Sequence, residues 1–345
     1  MPMPAGFGYD PRMSGSHGRL AALLERFPSQ RIAVIGDLAL DEYVHGRTAR
    51  VSREAPVLIL RHQGTDRRPG CAGNAARNVA ALGGNSVIVG IVGDDAAGAE
   101  LVGLLRGAGM DTRGVVVASG GTTWRKTRFL AGDLHTVQQQ VMRLDHEPLP
   151  PDAPTRAALV DAVAVALDGA TGVLLCDYGG GVFAPETRAR VLEHVSGRGV
   201  PVIADSRYAL QEFTGVTCAT PNETEVEPIV GHVLADDAAV EAAGEELRRR
   251  IGAPALIVTR GRLGMSVFDG RRPRHRAAFG GDAVDVAGAG DTVAATVALA
   301  LAAGGDVDDA ARLANYAASR VVLQRGTAVT DRAAILACMQ EDPGA

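Results

Sequence analysis

Short, uniformly apolar runs recur along the chain, separated by longer stretches with helical spacing. Arg31–Ile35, Ser86–Val92, Thr171–Cys176, Val200–Ala204 and Ala255–Thr259 are rich in β-branched and aliphatic residues with little alternation, as strands buried on both faces are. Ala75–Leu82 and Ala97–Gly107 supply helices between the first of them. The repeated strand–loop–helix unit predicts the α/β class, a doubly wound, mainly parallel sheet flanked by helices. Two stretches break the rhythm. Trp124–Phe129 and Val137–Asp145 alternate polar and apolar residues around a Gly132–Asp133 turn, predicting a hairpin with one wet face. Val57–Arg61 lies between Ser52–Pro56 and a charged turn, which suits an edge or excursion strand. Excursions at about 41–66 and 120–146 are therefore expected to form a small β lid on a domain spanning 29–345. Ahead of it, residues 1–28 read as a loose tail, over 1–18, and a leading helix at Leu20–Phe27. Pro148–Pro154 is a linker within the domain, because the alternation resumes on both sides of it.

Composition narrows the possibilities. With 345 residues and 46% hydrophobic content, the chain can bury one large α/β domain or two ordinary ones. A net charge of -5, with 4% aromatic residues and no basic stripe, speaks against a nucleic-acid partner. The longest apolar run, after Asp291, is too short to span a bilayer and stops at Gly304-Gly305, so no membrane partner is expected. Cys71, Cys176, Cys218 and Cys338 are scattered without metal-ligand spacing, which fits a reducing, cytoplasmic setting. Lys126 is the sole lysine among 35 basic residues, and no glycine precedes it. A P-loop is thereby excluded, since that motif needs a lysine directly after its glycines.

The stretch Asp285–Asp291 carries the most pointed chemistry. Gly288, Ala289 and Gly290 make a turn that opens into an apolar helix, where unpaired amides and the positive helix end can cradle an anion. A carboxylate at Asp291 beside that anion suits proton acceptance from an attacking hydroxyl, although an ordinary loop-to-helix junction has the same sequence. Asp37 and Asp41 follow the first strand, where open α/β sheets bind ligands; turn and cap chemistry is the plainer reading. Asn74 reads as the N-cap of Ala75–Leu82 or as a ligand contact. Lys126 and Arg128 share a strand face and can hold a phosphate or merely line a solvated surface. Asn222 and Glu225 can face one hydrated cation while also forming a capping box.

Together these residues resemble the ribokinase-like (PfkB) family of carbohydrate kinases from Arg31 to about Ala334. Asp285–Asp291 is similar to its D-x-x-G-A-G-D signature, Gly70–Asn78 to its glycine-rich pattern, and Asn222 with Glu225 to its N-x-x-E. Within the family the likeness is to kinases of heptose 7-phosphate, through Gly36-Asp37, Asp41, Val51–Val57, Arg68–Gly70, Lys126–Arg128 and Gln139–Asp145. The chain looks like a stand-alone kinase, without the nucleotidyltransferase domain that such relatives often carry. It departs from the pattern at Ala287, Cys71, Gly180 and Arg207, where threonine, glycine and two lysines are usual.

The resemblance implies ATP as phosphoryl donor, Mg²⁺ near Asn222 and Glu225 largely through water, and a sugar or sugar-phosphate acceptor. It makes Asp291 the general base, with Gly288, Ala289 and Gly290 as the anion hole. Asp37, Asp41, Gly70 and Asn74 would meet the sugar, and Lys126, Arg128 and Arg143 an acceptor phosphate. Asn222, Thr259, Gly261, Gly264 and Asn315 would line the nucleotide, while oxygens around Asp285 and Val286 would suit K⁺. The apolar outer face of the lid points to a homodimer. Ribose, fructose or a fructose phosphate are alternative acceptors, as is a nucleoside, and a non-catalytic ligand-binding relative is the rival outside enzymes.

Overall fold

The computed structural model describes residues 15–132 and 138–342. The chain enters through α1 (Ser16–Arg26) and β1 (Arg31–Gly36), followed by two long strands, β2 (Leu38–Val51) and β3 (Leu58–Cys71). Next come α2 (Ala72–Ala81), β4 (Asn85–Gly93), α3 (Ala96–Gly107), β5 (Asp111–Ala118), β6 (Trp124–Gly132), β7 (Gln139–His146) and α4 (Ala153–Leu167). Then follow β8 (Gly172–Asp177), α5 (Pro185–Val195), β9 (Val202–Ser206), β10 (Cys218–Ala219), α6 (Glu223–Val230) and α7 (Asp237–Arg250). The chain closes with β11 (Ala255–Thr259), β12 (Met265–Phe268), β13 (Arg274–Arg276), α8 (Ala289–Ala302), α9 (Val307–Val321) and α10 (Arg332–Glu341).

Among the described residues, nine strands form the main sheet in the order β13-β12-β11-β10-β9-β8-β1-β4-β5, parallel except at β12 and β13. Helices cover both faces, because neighbouring residues of each strand feed opposite cores. Ile32, Val34, Leu174 and Ile257 join the core that includes α2, α8 and α9. Ala33, Ile35, Val173, Leu175 and Leu256 join the one that includes α4 and α7. That two-sided burial is why these strands read as apolar without alternation. The strand order reverses between β1 and β8, and a crevice opens at their carboxyl ends, where Asp37 and Tyr178 emerge.

The lid is a second sheet, β3-β2-β6-β7, in which β2 pairs antiparallel with β3 and parallel with β6. Only Asp37 separates β1 from β2, so the main sheet runs almost directly into the lid. Several expectations change here. Asp41 lies inside β2, not on a loop, and the short run at Val57–Arg61 is the start of a 14-residue strand. Residues 16–18 belong to α1, not to a tail, and Asp133 of the expected hairpin turn lies outside the described residues. Val51, Leu58, Met142 and Leu144 are exposed on the lid. Met142 and Leu144 pair with Phe129 and Thr127, placing them on the side away from Lys126 and Arg128. All four cysteines are buried and free, and no described helix is long and apolar enough to cross a membrane.

Candidate active site

The site is built where α8 starts. Gly288 caps the helix in the left-handed region (φ 79°), and a Cβ there would lie 2.7 Å from Asn74 Nδ2, so conformation and space both demand glycine. The Ala289 amide donates to Val286 O at 3.2 Å and that of Thr292 to Gly288 O at 3.1 Å. The expected contribution of Ala289 to an anion hole is thus already engaged within the turn. The first-turn amides of Gly290 and Asp291 are the ones free of such turn bonds. Val286 is exposed, while Asp285 fastens the turn, accepting from the amides of Ala287 (2.9 Å) and Gly326 (2.8 Å).

Asp291 is buried in the third position of α8 and held from two sides. Asn74 Nδ2 donates to its Oδ2 at 2.7 Å, and the Tyr178 hydroxyl donates to its Oδ1. Burial pushes its pKa up to about 6, against the pull of these hydrogen bonds and of the Lys126 charge. A carboxyl so poised is mostly ionised at neutral pH and still basic enough to take a proton. Asn74 is not the N-cap expected of it. Cys71, at φ 52°, is the cap of α2, and Asn74 sits inside the helix with its Oδ1 buried and unpartnered among the described residues. Such an acceptor fits a bound hydroxyl. One turn on, Asn78 accepts from Thr292 Oγ1 at 2.9 Å and so braces α2 against α8.

The two aspartates after β1 separate in role. Asp37 accepts the amides of Tyr178 (2.7 Å), Gly180 (2.9 Å) and Val182 (3.2 Å), so its oxygens hold the loop after β8. A Cβ at Gly180 would lie 2.8 Å from Asp37 Oδ1, which explains a small residue where a lysine was anticipated. Asp41 pairs with Arg128 at 2.7 Å and lies so near Gly70 that a Cβ there would come within 2.6 Å of its Oδ2. Gly70 therefore makes room for Asp41. In register, Asp41 stands beside Lys126 and Tyr43 beside Arg128, so all four share one lid face. Lys126 turns to the catalytic end: its Nζ donates to Cys71 Sγ at 3.0 Å and lies 3.9 Å from the Trp124 ring centroid. Burial pushes the Cys71 thiol up to about 12, so that contact is to a neutral thiol. Arg143 sits opposite Arg128 but is half-exposed and tied to Asp145 at 2.8 Å.

A small cavity of about 90 Å³ beside Tyr178 is lined by Gly290, Asp205, Arg207, Asn222, Glu225 and Thr259 among others. Asn222 and Glu225 form the capping box of α6, each accepting the other's amide at 2.9 Å. Burial, and then the neighbouring Glu225, raise the Asp205 carboxyl well above its usual range; burial raises Glu225 too. Gly261 and Gly264 shape the turn between β11 and β12, where a Cβ at Gly264 would meet Arg276 O at 2.0 Å. Asn315 donates to Ala277 O at 2.7 Å and so ties α9 to the segment after β13.

The far side opens into a cleft of about 360 Å³ under the lid, with Tyr43, Arg68, Arg128, Asp285, Ala287 and Arg325 in its walls. Tyr43 and Arg325 carried no sequence signal, since each is recruited from a segment whose partners are more than a hundred residues away, and Tyr178 was marked only by its place just after the Thr171–Cys176 run.

The model of the pfkB family of carbohydrate kinases matches residues 29–333. Bifunctional protein HldE of Mesorhizobium japonicum is 39% identical over 309 residues, covering 88% of this chain and 61% of that protein's length. Among solved structures, Arabidopsis thaliana ribokinase complexed with ribose and ATP has a TM-score of 0.70 at 22% identity, covering 90% of this chain and 99% of that one. Phosphofructokinase-2 from Escherichia coli in complex with potassium has a TM-score of 0.74 at 21% identity, with 90% and 99% covered. The fold is ribokinase-like.

Proposed function

The chain belongs to the pfkB family of carbohydrate kinases and is a phosphotransferase with an alcohol group as acceptor; we propose that it uses ATP to phosphorylate a sugar phosphate, heptose 7-phosphate to the 1,7-bisphosphate. The observation that carries the chemistry is Asp291, buried, held near pH 6 and fixed by Asn74 and Tyr178 at the amide-rich start of α8. Asp291 takes the proton as the acceptor oxygen attacks, and Asn74 Oδ1 and Asp41 orient neighbouring hydroxyls. Fixing that geometry can lower the barrier by roughly 7–11 kcal/mol. The amides of Gly290 and Asp291 stabilise charge on the transferred phosphoryl, each such donor being worth about 2.7–4 kcal/mol. The 90 Å³ cavity, lined by Tyr178 and Gly290 next to Asp291, takes the nucleotide phosphates, and the 360 Å³ cleft, lined by Asp285 and Ala287 of the preceding turn, takes the body of the acceptor.

Mg²⁺ fits the nucleotide side as a hydrated ion. Asp205 and Glu225 are neighbouring, half-buried carboxyls whose crowding a cation relieves, while no described group of three His, Cys, Asp or Glu converges for direct coordination. Asp205, Asn222 and Glu225 would hold such an ion through water, and it would supply neutralisation of phosphate charge. The heptose assignment rests on the resemblance through Asp41, Arg68–Gly70 and Lys126–Arg128 and is supported by a cleft of about 360 Å³, room for more than the reacting hydroxyl. The exposed apolar residues of the lid support a homodimer in which a second lid covers them. An ADP-release assay over heptose 7-phosphate, ribose, fructose, a fructose phosphate and a nucleoside tests the acceptor. Turnover is expected highest with the heptose phosphate; nucleotide binding without ADP release from any of them overturns the kinase proposal.

A further inference from the structure

In and behind the cleft under the lid, arginines lie without a carboxylate in contact. Arg128 has Asp41, whereas among the described residues Asp66 pairs with His45 and Asp285 accepts two amides, so neither of these carboxylates meets an arginine. Among the described residues, Arg68 donates only to the carbonyls of Arg325 and Thr327, each at 3.4 Å, and Arg325 only to Gln138 O at 2.6 Å. Neither has a carboxylate partner among the described residues. Behind them, Arg77 projects from α2 one turn beyond Asn74, and its Nη1 is buried with no hydrogen-bond partner among the described residues. Its electrostatic neighbours are Arg68, which repels it, and Tyr43; burial and that repulsion lower its pKa. The Tyr43 ring lies between Arg68 and Arg128, at 5.6 and 5.2 Å from their guanidinium carbons. Arg68 and Arg77 are adjacent half-buried guanidinium groups with no carboxylate in contact among the described residues, an arrangement that is costly unless an anion completes it, and the exposed Arg325 flanks them at the cleft wall.

Resting on the kinase reading, we infer that Arg68 and Arg325, backed by Arg77, bind the phosphate of a sugar monophosphate acceptor at the end of the cleft far from Asp291. The geometry sets the order along the acceptor. Its reacting hydroxyl lies at Asp291 and Asn74, its middle hydroxyls at Asp41, and its phosphate beyond Arg128 against the segment after α9. Lys126, committed to Cys71 and Trp124 beside Asp291, does not hold that phosphate. The acceptor phosphorylated at the far carbon is thereby preferred over the free sugar.

The test compares KM for a sugar monophosphate with KM for the same sugar without phosphate, using hexose and heptose pairs, in the full chain and in Arg68→Gln, Arg325→Gln, Arg77→Met and Lys126→Gln. Because the two acceptors are compared as a ratio, a general loss of activity cancels. Losing one charged hydrogen-bonding partner is expected to raise the phosphate-specific ratio roughly 10- to 100-fold in Arg68→Gln and Arg325→Gln. Arg77→Met moves it in the same direction, and Lys126→Gln leaves it in place while lowering turnover on both acceptors. Arg325 is exposed, so its variant carries the test if Arg68→Gln or Arg77→Met fails to fold. The inference is overturned if the arginine variants keep the wild-type ratio, if Lys126→Gln alone collapses it, or if the wild type does not prefer the phosphorylated member of any pair. ADP release with a free sugar in that last case leaves the kinase reading standing, whereas no release with any acceptor sinks both.

Discussion

Tyr178→Phe isolates the hydrogen bond that keeps Asp291 usable as a base. The substitution deletes the hydroxyl that donates to Asp291 Oδ1 and leaves the ring under the Lys126 ammonium, 5.5 Å away. Burial keeps the Tyr178 phenol protonated well above its ordinary pKa, so in the wild type it donates throughout the working range. A hydrogen bond to a charged acceptor is worth about 1.5–3 kcal/mol. At about 1.4 kcal/mol per pK unit, its loss raises the Asp291 pKa by about 1–2 units. Since the wild-type value is about 6, the acid limb of kcat/KM shifts to about 7–8. The sign follows from the ionised form being both the stabilised partner and the active base. At pH 7 the ionised fraction falls from about nine-tenths to between a half and a tenth, while near pH 9 the variant approaches wild-type kcat/KM. Steady-state ADP release from pH 5 to 9.5 with saturating nucleotide measures this. An unmoved limb, or a loss at pH 7 that alkaline conditions do not restore, would refute the reasoning.

Asp291→Asn removes the base, and kcat is expected to fall by about 10²–10⁴. The same variant should unfold at a higher temperature at pH 7.5: the folded-state pKa lies above the unfolded one, so the wild type loses stability as pH rises from about 4 through about 6. Calorimetry showing no stabilisation above pH 7, or no change with pH, would contradict that linkage. Gly288→Ala meets both a positive φ and the Asn74 amide at 2.7 Å, so it is expected to cost upwards of about 1 kcal/mol in denaturant unfolding and to disturb Asp291 through Asn74. Met142→Lys with Leu144→Glu places charge on the exposed outer lid, and sedimentation should show a dimer becoming a monomer; an unchanged oligomer would place the interface elsewhere.

The chain's pattern of apolar runs determined the layered α/β architecture, because strands buried on both faces must be apolar without alternation, and β1, β8, β9 and β11 are so buried. Local chemistry was also legible. The turn before α8 needs glycine at Gly288 for its own backbone, and the Asn222–Glu225 box caps α6 within a single turn. What the sequence left open were roles that depend on who arrives from elsewhere. Asp37 and Asp41 look alike after the same strand, yet the first accepts three amides from the loop after β8 and the second meets Arg128 across the lid. Asn74 reads as a cap until α8 packs on α2 and gives its amide a carboxylate to hold. Arg77 and Arg325 carry no motif at all. Arg77 matters through its buried, unpartnered Nη1, Arg325 through its place in the cleft wall and Tyr178 through its bond to Asp291, all set by contacts between segments far apart in the chain, which only the folded structure brings together.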